Sequence, residues 1–160
     1  MTGGRNRGAA DKAIAGEGRR ATLVIRDGYA RPRRESVIQL DIELPDRPGE
    51  LAKLATILGD AGINIDAMSA ESAGGETYVS LIVNQPVQAR DALMKSGYRC
   101  STRTVLVVRI EDRPGALAQL SRKLGDAGID IVSMIHLGTV AGHAQLAIGV
   151  DNLEKARALV

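Results

Sequence analysis

The sequence predicts an α+β protein built from two tandem copies of one small unit with the element order βαββαβ. Two observations predict this fold class: a repeat at a fixed spacing along the chain, and an alternation within each copy between strand-like and helix-like hydrophobic patterns. Composition agrees, because a chain of 160 residues with 44% apolar and 25% charged residues is typical of globular proteins. Aromatic residues make up only 2% of the chain, so aliphatic side chains must pack its cores.

The repeat is visible when the sequence is shifted, without any gap, so that Asp46 falls on Asp112. Residues 46–49 (Asp-Arg-Pro-Gly) then fall on the identical residues 112–115, and fifteen of the 23 positions from Asp46 to Met68 match. Identity at this level indicates two copies of one structural unit. We therefore divide the chain into a tail, residues 1–34, and two domains, residues 35–103 and 104–160.

The first copy begins with a strand over residues 38–44, where apolar and polar residues alternate with a period of two. A helix follows, because apolar residues recur at helical spacing from 51 to 61. Arg47 suits the N-cap of this helix, and Pro48 suits its first position. Gly62 suits the left-handed residue that follows a helix.

Two strands and a second helix complete the first copy. The strands cover residues 63–70 and 77–83 and are joined by the hairpin signal Ala-Gly-Gly at 73–75. A helix over residues 87–96 and a fourth strand over 98–103 follow. This order is the ferredoxin-like pattern, in which two helices cover one face of an antiparallel four-stranded sheet.

The second copy repeats this order but lacks the last strand. Its predicted elements are a strand over 105–110, a helix over 115–124, strands over 129–137 and 144–150, and a helix over 153–160. Its sheet is therefore short by one strand or borrows one, and an open sheet edge attracts another chain. We predict a homodimer, unless Leu23–Ile25 of the same chain occupies the edge. Because no linker separates the copies, we expect them to form a rigid pair.

The charge of the chain is concentrated in the tail. Residues 1–34 carry nine basic and three acidic side chains, whereas the whole chain has a net charge of +2. Such a segment, rich in Gly, Ala and Arg, is expected to be largely disordered. It either contacts nucleic acid or an acidic partner electrostatically or is a solvated extension. Nucleic-acid binding through base stacking is disfavoured because the chain offers few aromatic rings.

Several classes of protein are excluded by what the sequence lacks. No apolar run reaches the length of a membrane span, no secretory signal is present, and the single Cys100 forms no intrachain disulfide, so we expect a cytoplasmic protein. No nucleophile stands beside a base and no nucleotide-binding loop is present, so we predict no catalytic residues and no cofactor. His136 and His143 make an incomplete metal site, and no metal is expected. Cys100 is expected to be a small buried apolar residue.

The repeated motifs resemble the ACT domain, the regulatory module of many amino-acid-metabolising enzymes. The resemblance rests on residues 44–52 (LPDRPGELA) and 58–65 (LGDAGINI) and on their counterparts in the second copy, and it covers nearly all of residues 35–160. It implies a non-catalytic regulatory role. It further implies ligand sites where the loop after the first strand faces the start of the second strand of a neighbouring domain, and side-by-side pairing of domains.

The residue types at these positions suit an amino-acid ligand. Gly49 and Gly115 leave backbone N–H groups at a helix start open to a carboxylate, and Asn64 or Asp130 can accept hydrogen bonds from an ammonium group. The candidate ligand-binding residues are Asp46, Arg47, Pro48, Gly49, Glu50, Leu51, Asn64, Ile65, Asp112, Arg113, Pro114, Gly115, Ala116 and Asp130. Asn donates and accepts whereas ionised Asp only accepts, so the two sites need not be equivalent. The alternative is that these residues only open a helix and form a turn.

Two function classes follow. In the first, the protein is a sensor whose ligand changes its pairing or its contact with a partner enzyme or regulator. In the second, the two units are a dimerisation scaffold and the Arg-rich tail makes the contact with nucleic acid or an acidic partner.

Overall fold

The structure of the protein, a computed structural model, describes residues 36–160. The basic tail, with the segment 23–25, therefore lies outside the described residues. Ten elements follow one another along the described chain: β1 (Ser36–Pro45), α1 (Glu50–Asp60), β2 (Ile65–Ala73), β3 (Glu76–Val83), α2 (Pro86–Lys95), β4 (Arg99–Glu111), α3 (Ala116–Asp126), β5 (Ile131–Val140), β6 (His143–Val150) and α4 (Leu153–Leu159). The predicted α+β fold of two ferredoxin-like units is confirmed.

The six strands form one antiparallel sheet in the order β2-β3-β1-β4-β6-β5. Strand β4 belongs to both units, because its residues 99–106 pair with β1 and its residues 106–111 pair with β6. The prediction of two separate strands, ending at Arg103 and beginning at Val105, was therefore wrong. Thr104 continues the strand and pairs with Ile38.

One face of the sheet carries all four helices and two apolar cores. Leu54 of α1 and Leu93 of α2 pack against the first unit's sheet, and Leu120 and Leu124 of α3 pack against that of the second. Leu54, Leu93 and Leu124 are completely buried. Each unit therefore buries the helix-facing side of its half of the sheet separately.

The opposite, helix-free face closes on itself. A third core contains strand residues only: Ala67, Ile82, Val105, Ile135, Leu137 and Ala147. Strands β2 and β5, which lie at the two ends of the sheet order, contact each other. The helix-free faces of the two units are thus packed together, which brings the start of β5 over the first unit.

Each of α1 and α3 starts later than predicted. The N-cap of α1 is Gly49, with a φ of 92°, and that of α3 is Gly115, with a φ of 84°. Arg47 is not the N-cap: its carbonyl accepts the N–H of Glu50 at 3.3 Å in a tight turn that includes Pro48. A positive φ at the cap favours glycine, which explains the Pro-Gly pair. Gly62, with a φ of 71°, ends α1 as predicted.

The second unit has three strands in the described part of the chain. After α4, no strand follows within residues 36–160, and β4 residues 107–111 pair only with β6. The pairing of β1 with β4 stops at Ser36 and Leu106. One edge of β4 is therefore open over residues 107–111 as far as residues 36–160 are concerned.

Candidate ligand-binding loops

The first Pro-Gly loop, residues 46–49, is fastened to the hairpin between β2 and β3. The N–H of Asp46 donates to the carbonyl of Gly75 at 3.1 Å. The carboxylate of Asp46 accepts hydrogen bonds from the hydroxyls of Ser72 at 3.1 Å and Thr77 at 3.3 Å. Asp46, which we expected beside a ligand, therefore holds the loop in place.

The second Pro-Gly loop, residues 112–115, is fastened in the same way. The N–H of Asp112 donates to the carbonyl of Gly142 at 2.9 Å, in the hairpin between β5 and β6. The position equivalent to Thr77 is occupied here by Ala144, which has no hydroxyl: Thr77 pairs with Leu44 of β1, and Ala144 pairs with the counterpart of that leucine, Ile110 of β4. The side-chain attachment of the first loop through two hydroxyls is thus not repeated.

Both helix starts leave backbone donors available. Neither α1 nor α3 has a side-chain cap. The N–H groups of Leu51 and Ala52 lie in the first turn of α1, where no intrahelical acceptor exists, and those of Leu117 and Ala118 do so in α3. The positive end of the helix dipole favours an anion at both places.

An arginine stands beside each helix start, but its partners differ. In the first loop, Glu50 lies 3.8 Å from Arg47 and accepts a hydrogen bond from Lys53 at 2.8 Å. That hydrogen bond lowers the pKa of Glu50, whose side chain is only 11% exposed. Ala116 replaces Glu50 in the second unit.

Arg113 has different partners in the second loop. It donates to Glu111, at the end of β4, and to Gln119 of α3 at 3.1 Å. The hydrogen bond from Arg113 lowers the pKa of Glu111. Both arginines are thus held near a helix start, the first by a residue of the helix itself and the second partly by the preceding strand.

The strand-start residues Asn64 and Asp130 occupy equivalent, exposed positions. The N–H of Asn64 donates to the side chain of Asn84 at 3.0 Å, and the N–H of Asp130 donates to that of Asp151 at 3.0 Å. Asn64 also donates to Asp66 at 2.9 Å. Ile65 is partly buried against the first core.

Within one unit, the Pro-Gly loop and the strand start lie at opposite ends of the sheet. The loop contacts the hairpin that follows β2, whereas Asn64 precedes β2. Strand β2 has 9 residues, which corresponds to about 30 Å at the usual rise per residue. A single amino acid cannot span that distance, so a joint site requires the loop of one unit and the strand start of another.

An apolar side chain is exposed at each helix start. Leu51 is 38% exposed in α1, and its counterpart Leu117 is 45% exposed in α3. Both helix starts thus present an aliphatic side chain to solvent at the same position.

Within residues 36–160 no group of three or more His, Cys, Asp or Glu side chains could hold a metal ion. Nδ1 of His143 lies 3.0 Å from the carbonyl oxygen of Ala141. Cys100 is half-buried beside the first core, and burial raises the pKa of its thiol. No described helix is long and apolar enough to cross a membrane.

The helix-free face carries a buried polar group that was not predicted from the sequence. Gln39 is completely buried there, and its side-chain amide donates to Asp41 at 2.6 Å and to Ser80 at 3.2 Å. Arg103 of β4 donates to Asp41 at 2.6 Å. The signal was present in the repeat, because Gln39 and Asp41 align with valines in the second copy.

The comparison with protein families identifies both units. The ACT domain family matches residues 38–95 and 104–156. The chain therefore belongs to the ACT domain family, with two copies in tandem. None of the curated proteins compared with the chain matches it significantly.

Solved structures show the same fold. A protein from Bacteroides thetaiotaomicron has a TM-score of 0.71 and 24% identity, over 79% of this chain and 87% of that one. The regulatory subunit of aspartate kinase from Thermus flavus has a TM-score of 0.61 and 19% identity, over 80% and 94%. The ligand-free regulatory subunit from Thermus thermophilus has a TM-score of 0.60 and 20% identity, over 79% and 93%.

Proposed function

We propose that this chain is a non-catalytic regulatory protein that binds an amino acid at its Pro-Gly loops and passes the signal to a partner enzyme or regulator. The observation that carries the proposal is the pair of uncapped helix starts, each preceded by Arg-Pro-Gly, in two ACT units. Backbone N–H groups at a helix start, together with a guanidinium, suit an α-carboxylate. The name of the similar aspartate kinase regulatory subunits is in keeping with this role.

The site is completed by a neighbouring unit, which we propose belongs to a second copy of the chain. Because each loop lies about 30 Å from the strand start of its own unit, the acceptors for the ammonium come from Asn64 or Asp130 of a neighbouring unit. Leu51 and Leu117, exposed at the helix starts, supply apolar contact for that neighbour. Ligand binding and dimerisation are then linked, so a ligand that binds the dimer shifts the association equilibrium.

The two loops are expected to differ in affinity. Glu50 brings a carboxylate to the first helix start, where it engages Arg47, whereas Ala116 adds no charge to the second. A bound anion competes with Glu50 for Arg47. Arg113 is hydrogen-bonded to Glu111, so a bound anion also competes with a carboxylate at the second loop, and the two affinities need not be equal.

The test combines a ligand screen with loop variants. The common amino acids are screened for thermal stabilisation of the full chain, where a ligand at 100 times its Kd adds about 2.7 kcal/mol. The best ligand is then titrated calorimetrically against Arg113→Gln and Arg47→Gln. We expect Arg113→Gln to weaken binding about 10- to 100-fold, because it removes hydrogen bonds to a charged group.

The matched control is Arg109→Gln, which removes an exposed arginine of β4 outside both loops. Gly49→Val is not a suitable probe, because a branched side chain at a φ of 92° strains the backbone even where space is free. If Arg47→Gln and Arg113→Gln both bind as the parent does, the loops are only helix openings. Sedimentation with and without ligand then shows whether binding and association are linked.

A further inference from the structure

A cleft of about 490 Å³ lies between the helix-free face of the first unit and the start of β5. Its floor is made by strands β1, β3 and β4, and its wall by Val132 and Ser133 of β5. The volume falls in the range of small-molecule sites, roughly 300–1,000 Å³. All residues of its lining come from one chain, whereas a joint site at the Pro-Gly loops requires the strand start of another unit.

The floor of the cleft is organised by the carboxylate of Asp41. One oxygen accepts from Gln39 at 2.6 Å and from Ser80 at 2.7 Å, and the other accepts from Nε of Arg103 at 2.6 Å. Ser133 donates to the carbonyl oxygen of the Gln39 side chain at 3.2 Å, which ties β5 to this network. Asp41 is thus occupied on both oxygens and fixes the guanidinium of Arg103.

Arg103 keeps donors for a ligand. Its side chain is 41% exposed, and only Nε is engaged within residues 36–160, so the two terminal nitrogens remain available for a carboxylate. A guanidinium that is already oriented loses little freedom when it binds an anion in bidentate fashion.

Gly149 of β6 makes room for this arrangement. A Cβ at that position would lie 2.3 Å from the hydroxyl oxygen of Ser133 and 3.4 Å from Cδ of Arg103. Any larger residue therefore displaces the Ser133 hydroxyl from where it meets Gln39. Gly149 pairs with Ser133 across β6 and β5, so the glycine leaves room for the Ser133 hydroxyl beside the cleft.

The charges around the cleft are balanced. Arg99 and Arg103 are matched by Asp41 and Glu43, and the carboxylate of Glu43 lies 4.0 Å from Arg99 and is 53% exposed. Such a lining favours neither a phosphate nor a divalent cation. Apolar surface is supplied by Tyr78 and Val132, which are 49% and 48% exposed.

We propose that this cleft binds a zwitterionic amino acid with a small apolar side chain, at a site separate from the Pro-Gly loops. The carboxylate meets the terminal nitrogens of Arg103, the ammonium meets Glu43, and the side chain lies against Tyr78 and Val132. The site is complete within one chain and does not depend on the proposed function of the loops.

The test uses L-valine as the probe in calorimetric titrations of the full chain. Isovalerate lacks its ammonium and isobutylamine lacks its carboxylate, and we expect each to bind at least about tenfold more weakly. Arg103→Gln is expected to lower valine affinity about tenfold or more, whereas Arg109→Gln, on the same face of β4, leaves it unchanged. Val132→Phe keeps Arg103 but fills the cleft, and it should also abolish binding.

The outcomes separate the cleft from the loops. Loss of binding in both Arg103→Gln and Val132→Phe, but not in Arg47→Gln or Arg113→Gln, supports the cleft. Loss in the loop variants alone overturns the cleft and leaves the proposed function standing. Absence of valine binding to the parent at millimolar concentration, or unchanged binding in Val132→Phe, also overturns it.

Discussion

The two units differ in the residue types of their helix-free faces, whereas their helix-facing sides carry the same kind of residue. On β1 the helix-free face carries Gln39, Asp41 and Glu43, and the equivalent positions on β4 are Val105, Val107 and Arg109. The residues between them face the helices and are aliphatic in both copies: Leu40, Ile42 and Leu44 in the first, Leu106, Val108 and Ile110 in the second. The helix-facing pattern is what the fold requires, and the other face is free to differ.

As a result, one part of the helix-free face is polar and another part is apolar. Asp41 and Arg103 line a cleft in the first unit, whereas Val105, Ile135 and Leu137 belong to an apolar core a few residues away on the same face. Buried polar groups are tolerated only when they have partners, and Gln39 and Asp41 have them. The helix-free faces thus pack together through their apolar part and leave a cleft beside their polar part.

The largest effect is expected from truncating equivalent helix residues. Leu54 is completely buried, and its counterpart Leu120 in the second unit is 7% exposed. Leu54→Ala and Leu120→Ala should each lower the free energy of unfolding by about 2–5 kcal/mol, because each leaves a cavity. Urea denaturation measures both. A cost below about 1 kcal/mol at either site would contradict the equivalence of the helix-facing cores.

A smaller effect is expected when equivalent residues of the two helix-free faces, Gln39 and Val105, are exchanged for each other's type. Val105→Gln places an amide in the apolar core without a partner, which should cost about 1–3 kcal/mol. Gln39→Val removes the amide that bonds Asp41 and should cost about 1 kcal/mol. The same denaturation experiment compares them. If Val105→Gln were as stable as the parent, the new amide would have found a partner or water, which would contradict an apolar core at this part of the helix-free face.

A milder effect is expected from Gly149→Ala. The added methyl group displaces the Ser133 hydroxyl, so the hydrogen bond to Gln39 is lost or weakened, at a cost of about 0.5–1.5 kcal/mol. The change should be absent in a Ser133→Ala background, where the displaced atom is missing. A double-mutant cycle measures this coupling, and additive costs would contradict the contact.

The smallest effect is expected in the pH dependence of stability, where the two loops differ at Glu50 and Ala116. The hydrogen bond from Lys53 lowers the pKa of Glu50 in the folded state, so Glu50 stabilises the fold above the ordinary carboxyl range. That contribution is lost as the pH falls through the lowered pKa. Glu50→Ala, which copies Ala116 of the second loop, should therefore lower stability slightly at neutral pH and not at acid pH. Urea denaturation at several pH values measures the difference in the free energy of unfolding between the parent and Glu50→Ala. A difference that grows as the pH falls would contradict the prediction.

Most of the fold could be predicted from the sequence because its signals are local. The alternation over 38–44 and the helical spacing over 51–61 are read from neighbouring residues, and the repeat extends the same interpretation to the second copy. The helix start was predicted too early, since Pro48 suits both a first helical position and the tight turn that precedes Gly49. Only the positive φ of Gly49 distinguishes them.

What the sequence did not reveal depends on distant parts of the chain. The union of residues 98–103 and 105–110 into one strand requires β1 and β6 to pair with it on opposite sides. The cleft requires β5 to lie over the first unit, which follows from the closing of the helix-free face. The ligand-binding role of the Pro-Gly loops and of Asn64 and Asp130 stays a prediction.

Strand β4 has a consequence for how the chain acquires its structure. Its 13 residues must pair with β1, about 60 residues earlier in the chain, and with β6, about 40 residues later. Because both units share this strand, neither unit can complete its sheet without the other, and the two units cannot fold independently one after the other. We expect a single cooperative unfolding transition, and a chain cut between Arg103 and Thr104 should leave two fragments that regain structure only when mixed.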